Sequence, residues 1–376
     1  MIHTQRIHAS LTPLDAAMAM LAKMLKPVTP VDVPLTRAVD CFAASNPVLD
    51  RALPEMDTAI SDGWALRAHD IVGASSYSPV LLSNAPRWVE AGDRMPDDCD
   101  CIVDADLIER VGPSYQVIGE VIPGKGVRRK SDDAVAGSLI VGAGERINAR
   151  HVALAQVAGL ETLQVRRPRV RVLDVASRNG DVSASTMIAN FLEREGAEVI
   201  PDKCLARDVS AISSALSNND CDLIVTIGGT GEGRSDATIE ALSSVGQTLA
   251  HGLALRPGRT SAIGAVNDVP VICVPGAVDQ AFGVWLALIE PAFDLLVARA
   301  PRISISGKLA QKISSSAGLS EIALLKHENG LLMPIGAGTL ALSAIASAHA
   351  WTMIPGNSEG FAAGASIEAF SLTDMG

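Results

Sequence analysis

A glycine-rich segment between residues 228 and 236 is the part of this sequence best suited to hold an anion. Its first six residues are Gly228, Gly229, Thr230, Gly231, Glu232 and Gly233. Glycines let backbone N–H groups turn toward a ligand, and the helix predicted to follow contributes the positive end of its dipole. The spacing is not the G-x-G-x-x-G of dinucleotide-binding proteins. We expect Asp236 to open the next helix, where it caps that helix or holds a metal ion or an amine. A plain glycine-rich turn is the alternative.

Two arginines form a second candidate anion site. Residues 256–260 read RPGRT, which places Arg256 and Arg259 on either side of a Pro-Gly turn. Both guanidinium groups can therefore reach one oxyanion, and the planar fork of arginine donates paired hydrogen bonds to tetrahedral oxyanions. A solvated turn is the alternative. Pro275 and Gly276 form a strand-to-helix turn that is expected to shape the floor of the pocket.

Two acidic loops in the first half of the chain are candidate ligands for a cation. Asp62 precedes Gly63 in one loop, and Asp133 ends the segment RRKSDD in the other. A carboxylate beside glycine can approach a ligand or Mg²⁺. An Asp-Gly turn and a solvated charged face are the alternatives. Cys99 and Cys101 lack the C-x-x-C spacing and have no histidines nearby, so no metal site is predicted there.

Composition excludes several classes of function. The 376 residues carry a net charge of −11, which disfavours wholesale binding of nucleic acid. Six scattered cysteines do not form a disulfide framework, so a reducing compartment is expected. The sequence has no uninterrupted apolar run of about 18 residues, so no membrane span is predicted. Residues 1–10 lack the apolar core of a signal peptide. We therefore expect a cytoplasmic protein without membrane or nucleic-acid partners.

The order of predicted elements indicates an α/β part flanked by β-rich parts. From residue 169 apolar strands at 170–175, 222–227 and 269–274 alternate with helices, which favours a parallel sheet covered on both faces. Ligands of such sheets bind at the carboxyl ends of the strands. We predict a β-rich subdomain at 31–139 and a C-terminal β module at 301–376. The α/β subdomain would occupy 169–300, and residues 1–30 with 140–168 would form a linker or helical subdomain.

Taken in order, these segments resemble the MoeA family, the molybdopterin molybdenumtransferases related to the gephyrin E domain. The family's Met-Asp-Gly-Tyr-Ala corresponds to residues 61–65, its Thr-Gly-Ala-x-x-Pro to 91–96, and its Arg-Arg-x-Gly-Glu-Asp to 128–133. Residues 228–236 resemble its Gly-Gly-x-Ser-x-Gly-x-x-Asp, and resemble more closely the Gly-Gly-Thr-Gly loop of MogA-type adenylyltransferases. Residues 256–260 stand where the family has Lys-Pro-Gly-Lys-Pro.

The resemblance implies an α/β plus β fold. It implies a multi-subdomain architecture with a MogA-like doubly wound α/β subdomain, an elongated β-rich subdomain and a small C-terminal β-barrel-like module. It also implies an L-shaped homodimer whose cleft is shared between the α/β subdomain of one chain and the elongated subdomain of the other.

The implied reaction inserts molybdate into adenylylated molybdopterin, with a divalent cation such as Mg²⁺, and releases AMP. Asp62, Asp133 and Asp236 match the family's acidic positions, and Asp62 and Asp236 would hold the metal. Arg256 and Arg259 match its basic pair, and Thr339 stands near a family serine. A MogA-type adenylyltransferase and a recipient molybdoenzyme are the implied protein partners.

The sequence departs from the family pattern at several places, two of which follow predicted strands of the α/β part. The family's Thr-Gly-Asp-Glu-Leu falls near residues 175–179, where the acid is absent and Arg178 stands instead. Its Pro-Gly-Asn-Pro-Val-Ser turn reads PGAVDQ at residues 275–280. These departures keep two alternatives open. One is a catalytically degenerate molybdopterin-binding carrier or insertion partner, in which Arg178 favours retention, and the other is a scaffold without a ligand.

Overall fold

The computed structural model describes residues 10–177, 180–202, 204–218 and 220–372. The described residues of 1–45, 143–152 and 162–376 form one compact unit, here unit 1. Residues 46–142 and 153–161 form another, unit 2. The division into four subdomains is finer than these units and stays a prediction.

The helices and strands are mostly short. In the described chain the α-helices are α1 (Leu14–Ala22), α2 (Ala149–Val157), α3 (Ser183–Arg194), α4 (Val209–Leu216), α5 (Thr238–Val245), α6 (Val278–Val284), α7 (Glu290–Val297) and α8 (Leu342–Ser347). Single turns of 3₁₀-helix occur at Leu35–Arg37, Ala68–Ile71 and Ala105–Leu107.

The strands of the first half are β1 (Val31–Pro34), β2 (Phe42–Ala43), β3 (Thr58–Ala59), β4 (Gly63–Leu66), β5 (Val80–Leu81), β6 (Arg87–Val89), β7 (Cys101–Val103), β8 (Ile108–Val111), β9 (Ser114–Val117), β10 (Val127–Arg128), β11 (Thr162–Arg166) and β12 (Arg169–Asp174). Those of the second half are β13 (Glu198–Pro201), β14 (Leu223–Ile227), β15 (Gln247–His251), β16 (Leu255–Arg256), β17 (Ala262–Val266), β18 (Val269–Val274), β19 (Ile305–Lys308), β20 (Ile313–Ser314), β21 (Ser320–Glu328), β22 (Leu331–Ala337), β23 (Ala350–Ile354), β24 (Gly360–Phe361) and β25 (Ser366–Ser371).

The α/β part of unit 1 is a sheet with helices on both faces. Its strand order is β13-β12-β14-β18-β17-β15. The first four strands pair in parallel, whereas β17 pairs antiparallel with both of its neighbours, β18 and β15. Alternate residues of β12 and β14 point to opposite faces, as the pleat requires. Val172 and Val225 pack in the core formed with α1, α3, α6 and α7. Leu173 and Ile224 pack in the core formed with α4 and α5. The predicted doubly wound α/β fold is therefore confirmed, although β15 and β17 were not predicted.

The helical segment after β18 changes its hydrogen bonding part of the way along. A π-helical turn, Trp285–Ile289, joins α6 to α7, and the chain leaves the helix at Ala298, whose φ is +51°. Pro291 has no N–H to donate to the carbonyl of Ala287, which explains a change of hydrogen bonding at this point. The whole helical segment, Val278–Val297, is long and apolar enough to cross a membrane by length and composition. It is also 78% buried inside the protein, as a core helix is.

Two helices differ in how their first turn is capped. Helix α1 begins at Leu14, and Pro13 takes the N-cap position without a side-chain hydrogen bond. Helix α4 begins at Val209, and the carboxylate of Asp208 caps it by accepting the N–H of Ala211 at 2.9 Å.

Unit 2 is β-rich, as predicted. Its described strands form small antiparallel sheets with the orders β10-β3, β6-β4-β7 and β5-β9-β8. Leu139 also forms an isolated antiparallel bridge with Val48.

The C-terminal part of unit 1 is a sheet with the order β16-β21-β23-β25-β19, with β22 also paired to β21. Its helix α8 was not predicted. Strand β16 carries Arg256 and runs parallel to β21, so the RPGRT segment is fixed to this sheet.

Candidate functional site

A cavity of about 350 Å³ lies where β12, β14 and β18 end, and we call it the strand-end cavity. Strand β12 is followed by α3 and β13 on one side, whereas β14 and β18 lie on its other side. The direction in which successive strands are added to the sheet therefore reverses at β12, and doubly wound sheets bind ligands at such a switch point. The cavity is lined by Asp174, Val175, Ser177, Asp181, Ala184, Ser185, Arg207, Ile227, Gly228, Gly229, Thr230, Gly231, Asp236, Thr260, Pro275, Gly276, Ala277 and Gln280.

The glycine segment forms the loop that leaves β14 at this cavity. Gly228 and Gly229 have φ values of +100° and +69°, a conformation that other residues rarely adopt. A Cβ on Gly229 would lie 2.4 Å from the hydroxyl oxygen of Thr238. Of the six predicted residues, Glu232 and Gly233 lie in the loop but outside the cavity lining.

Buried polar contacts fix the shape of this loop. The carbonyl of Thr230 accepts a hydrogen bond from Nε2 of His251 at 3.0 Å, and His251 is buried. Because a carbonyl only accepts, Nε2 must carry the proton. The hydroxyl of Thr230 lies 3.2 Å from that of Thr260, and Thr238 donates to the carbonyl of Gly228 at 2.8 Å. Sequence reasoning missed His251, which no local motif marks.

Asp236 closes the loop rather than opening the helix. Helix α5 begins at Thr238, with no side-chain cap. The Asp236 Oδ2 accepts the N–H of Gly233 at 2.9 Å, and Oδ1 accepts from Nη2 of Arg207. The predicted helix N-cap at Asp236 is therefore wrong, because its carboxylate is used within the loop and by Arg207.

Two acids that sequence reasoning missed line the same cavity. Asp174 is the last residue of β12, and Asp181 precedes α3. The hydroxyl and the N–H of Ser183 donate to Asp181 at 2.6 and 2.9 Å, and these bonds lower the pKa of its carboxyl. Asp174 and Asp181 thus lie on either side of residues 175–179, the segment in which the family's acid is absent. Arg178 lies outside the described residues.

The turn after β18 forms another wall of the cavity. Pro275 and Gly276 both line it, and a Cβ on Gly276 would lie 3.3 Å from the Cα of Gly228. The two strand-to-helix turns therefore approach each other closely. Gln280, at the start of α6, lines this cavity and also the next one.

A second cavity, of about 330 Å³, holds the predicted arginine pair, and we call it the arginine cavity. Arg256, Arg259 and Thr339 all line it, although Thr339 comes from the C-terminal sheet region. Arg256 donates to Glu321 at 3.2 Å, and both Arg256 and Arg259 are exposed. The structure thus brings together three residues that were predicted from separate segments.

Asp62 and Asp133 both lie in unit 2. Strands β3 and β10 pair antiparallel, so Asp62 follows β3 at one end of this pair and Asp133 follows β10 at the opposite end. Asp62 accepts the N–H of Ala91 at 2.8 Å, and Asp133 pairs with Arg128 at 3.3 Å. Both carboxylates are exposed. Thr58 of β3 bridges to Arg94 and pairs with Arg128, so the segments 91–96 and 128–133 lie on either side of β3.

The described residues do not fit the predicted magnesium ion at Asp236. Mg²⁺ in proteins is usually held by one or two free carboxylates together with waters and substrate phosphates, and no group of three or more His, Cys, Asp or Glu side chains in the described ranges could hold a metal ion without them. Both Asp236 oxygens already have partners, one of them a guanidinium.

Comparison with known proteins matches both halves of the chain. Residues 12–159 match the family described as the MoeA N-terminal region (domain I and II), and residues 175–294 match a probable molybdopterin binding domain. The chain is 26% identical to molybdopterin molybdenumtransferase 2 of Mycobacterium tuberculosis, over 94% of this chain and 98% of that protein. It is 22% identical to molybdopterin molybdenumtransferase of Bacillus subtilis, over 96% and 94% of the two chains.

The fold matches a solved structure as well. The molybdopterin biosynthesis MoeA protein of Pyrococcus horikoshii superimposes with a TM-score of 0.71 at 23% identity, covering 96% of this chain and 99% of that one. The likeness covers both units. The chain belongs to the MoeA family, as a divergent member.

Proposed function

We propose that this protein inserts molybdenum from molybdate into adenylylated molybdopterin and releases AMP, as a molybdopterin molybdenumtransferase. One observation carries the proposal. The glycine loop, Pro275-Gly276 and the carboxylates Asp174 and Asp181 meet in one cavity at the switch point of a MogA-like sheet. Relatives of that name, matched over nearly their whole length, support it.

The strand-end cavity is the proposed pterin site. Its volume of about 350 Å³ lies within the range of small-molecule pockets, about 300–1,000 Å³. Carboxylates of Asp174 and Asp181 offer acceptors to the amine and ring N–H groups of a pterin. The anchored glycine loop offers backbone N–H groups to its phosphate. Hydrogen bonds from His251 and Thr238 already hold this loop in the chain without ligand, which reduces the ordering needed on binding.

The arginine cavity is the proposed oxyanion site. Arg256 and Arg259 supply fixed positive charge for molybdate or for the phosphates of the adenylylated substrate, and Thr339 adds a hydroxyl donor. Gln280 lines both cavities, so the reacting groups of pterin and oxyanion would meet near it. Charge that develops on phosphate oxygens as AMP leaves would be stabilised by the arginines. Because the described residues do not fit magnesium at Asp236, we derive no step through that metal.

The proposed enzyme is a homodimer that works in the cytoplasm, where its six unpaired cysteines stay reduced. Asp62 and Asp133 of unit 2 would complete the cleft of the other chain, as the family resemblance implies. A MogA-type adenylyltransferase would supply the substrate, and a molybdoenzyme would receive the product.

Mixing two inactive variants tests the shared cleft. Asp62→Ala and Arg259→Ala protein would be unfolded together, refolded, and assayed for activation of a cofactor-free molybdoenzyme. If each site combines the two residues from different chains, random mixing restores about one quarter of the wild-type activity. No recovery beyond the single variants would contradict a cleft shared between chains.

A non-catalytic molybdopterin carrier is the second candidate. The pairing of Asp236 with Arg207 favours it, because a neutralised carboxylate is suited to holding a loop rather than to chemistry. A carrier would bind the adenylylated pterin and would fail to release AMP when molybdate is added.

A further inference from the structure

We propose that Arg207 is a positioning residue of the pterin site, which takes at Asp236 the place that a metal ion would otherwise occupy. The identity of the ligand rests on the proposed function. The arrangement of Arg207 and Asp236 does not, because it is a property of the chain without ligand.

One guanidinium group joins two walls of the strand-end cavity. Arg207 donates from Nη1 to the carbonyl of Ala176, in the segment after β12, at 3.3 Å. Its Nε donates to the carbonyl of Ser235, at the end of the glycine loop, also at 3.3 Å. Nη2 pairs with Asp236. The planar fork of arginine can bridge three acceptors in this way, whereas lysine offers one point charge.

The glycine loop is wrapped around the carboxylate that Arg207 neutralises. A Cβ on Gly231 or Gly233 would lie 2.8 or 2.9 Å from Oδ2 of Asp236, and the N–H of Gly233 donates to that oxygen. The side chains of Arg207 and Asp236 are only 24% and 12% exposed. A carboxylate this shielded from water needs a cationic partner. Arg207 supplies it, and the loop keeps its shape as a result.

The same geometry predicts what removal of Arg207 would do. Asp236 is the cavity carboxylate that Arg207 contacts, and the positive charge of the guanidinium repels a divalent cation from it. Mg²⁺ and similar ions are commonly held by one or two carboxylates together with waters. Without Arg207, the carboxylate of Asp236 would attract such a cation and become one of its ligands.

A metal titration of the ligand-free protein tests this directly. Mn²⁺, which electron paramagnetic resonance detects, would be titrated into wild type, Arg207→Met, and the double variant Arg207→Met with Asp236→Asn. We expect Arg207→Met to bind one additional Mn²⁺ at least 10-fold more tightly than wild type, and the double variant to lose that gain. Equal Mn²⁺ binding in wild type and Arg207→Met would overturn the proposal.

Amide hydrogen exchange distinguishes the effect of the positive charge of Arg207 from the effect of its hydrogen bonds to the two cavity walls. In Arg207→Met and in Arg207→Lys, amides of residues 229–236 should exchange at least 10-fold faster, because neither side chain joins the two walls. Only Arg207→Met should gain Mn²⁺, because lysine keeps the positive charge.

Arg169→Met is the matched control: it breaks another Arg–Asp pair, to Asp220 at 2.8 Å, at the opposite end of β12. It should change neither readout. Unchanged exchange in Arg207→Met would also overturn the proposal.

Binding of adenylylated molybdopterin then links the arrangement to the site. In EDTA, wild type should bind it with unchanged affinity, whereas Arg207→Met should bind at least 10-fold more weakly and regain part of that loss in Mg²⁺. Wild-type binding that EDTA weakens as strongly as that of Arg207→Met would count against the proposal. If wild type binds no pterin at all, the proposed function fails, while the Mn²⁺ and exchange results still decide the role of Arg207.

Discussion

Arg256 and Glu321 form an ion pair in which Nη1 lies 3.2 Å from Oε1, and the carboxylate is only 4% exposed. Parallel pairing of β16 with β21 puts the two residues opposite each other. Gly338 lies so close that a Cβ there would be 2.8 Å from Cδ of Arg256. The pair therefore fixes one arginine of the arginine cavity, whereas Arg259 is held by its backbone alone among the described contacts.

Replacement of the two arginines should consequently have different effects on stability and on the KM for molybdate. Arg256→Ala leaves a buried carboxylate without its cation, so we expect about 1–3 kcal/mol less free energy of unfolding, together with a higher KM for molybdate. Arg259→Ala should raise the KM at least 10-fold and change the free energy of unfolding by less than about 0.5 kcal/mol. Urea denaturation and molybdate titration measure the two quantities. Equal destabilisation by both variants would contradict this division.

Gly229→Ala should weaken pterin binding strongly. At φ +69°, with a Cβ 2.4 Å from Thr238 Oγ1, alanine forces the loop out of its conformation. We expect at least a 10-fold loss of affinity and about 1–3 kcal/mol of destabilisation. Gly330→Ala is the matched control, because Gly330 has φ +75° and open space around its Cα. A similar loss of affinity in both variants would show that the close contact with Thr238 is irrelevant.

His251 should act through a single hydrogen bond to the glycine loop. His251→Phe leaves the buried carbonyl of Thr230 without a donor, which costs about 1–3 kcal/mol, and we expect faster amide exchange at residues 228–231. His251→Gln keeps an N–H donor of similar reach and should recover part of both losses. Loss of the same size in the two variants would mean that ring packing, rather than the hydrogen bond, holds the loop.

Glu290 should make the stability of unit 1 fall as pH rises. Burial raises the pKa of its carboxyl from 4.5 to about 7, despite the 2.5 Å contact with Arg302. Below pH 4.5 both the folded and the unfolded chain hold the proton. Between pH 4.5 and about 7 only the folded chain holds it, so the contribution of Glu290 is lost as pH rises through that window.

Glu290→Gln removes this titration. The free energy of unfolding of the variant, relative to wild type, should increase by about 1–3 kcal/mol between pH 5 and pH 8. Urea denaturation at several pH values measures it. A difference between variant and wild type that does not change with pH would contradict the assignment.

Local sequence predicted much of the sheet and the cavity floor. Strands β12, β14 and β18 are mostly apolar runs, and glycines directly after β14 indicate a loop that binds at a strand end. Strand β15 was missed because Gln247–His251 is neither apolar nor alternating. The π-helical turn was missed because hydrophobic periodicity does not distinguish i→i+4 from i→i+5 hydrogen bonds.

The parts of the site that escaped prediction depend on long-range contacts. Arg207 is 29 residues from Asp236 in the sequence and precedes α4, where an arginine has no local meaning. Asp236 has the sequence context of a helix cap, yet tertiary contacts take both of its oxygens. The acids Asp174 and Asp181 lie one residue before and two residues beyond the segment in which the family's acid was sought.

Release of AMP is the measurement that tests the central claim most directly. Purified protein would be loaded with adenylylated molybdopterin, freed of unbound ligand, and then given molybdate or sulfate. We predict that molybdate releases one AMP per bound ligand and that sulfate releases none, with Arg259→Ala requiring at least 10-fold more molybdate. Ligand that stays bound and intact in the presence of molybdate would contradict the proposed transferase and identify the protein as a molybdopterin carrier.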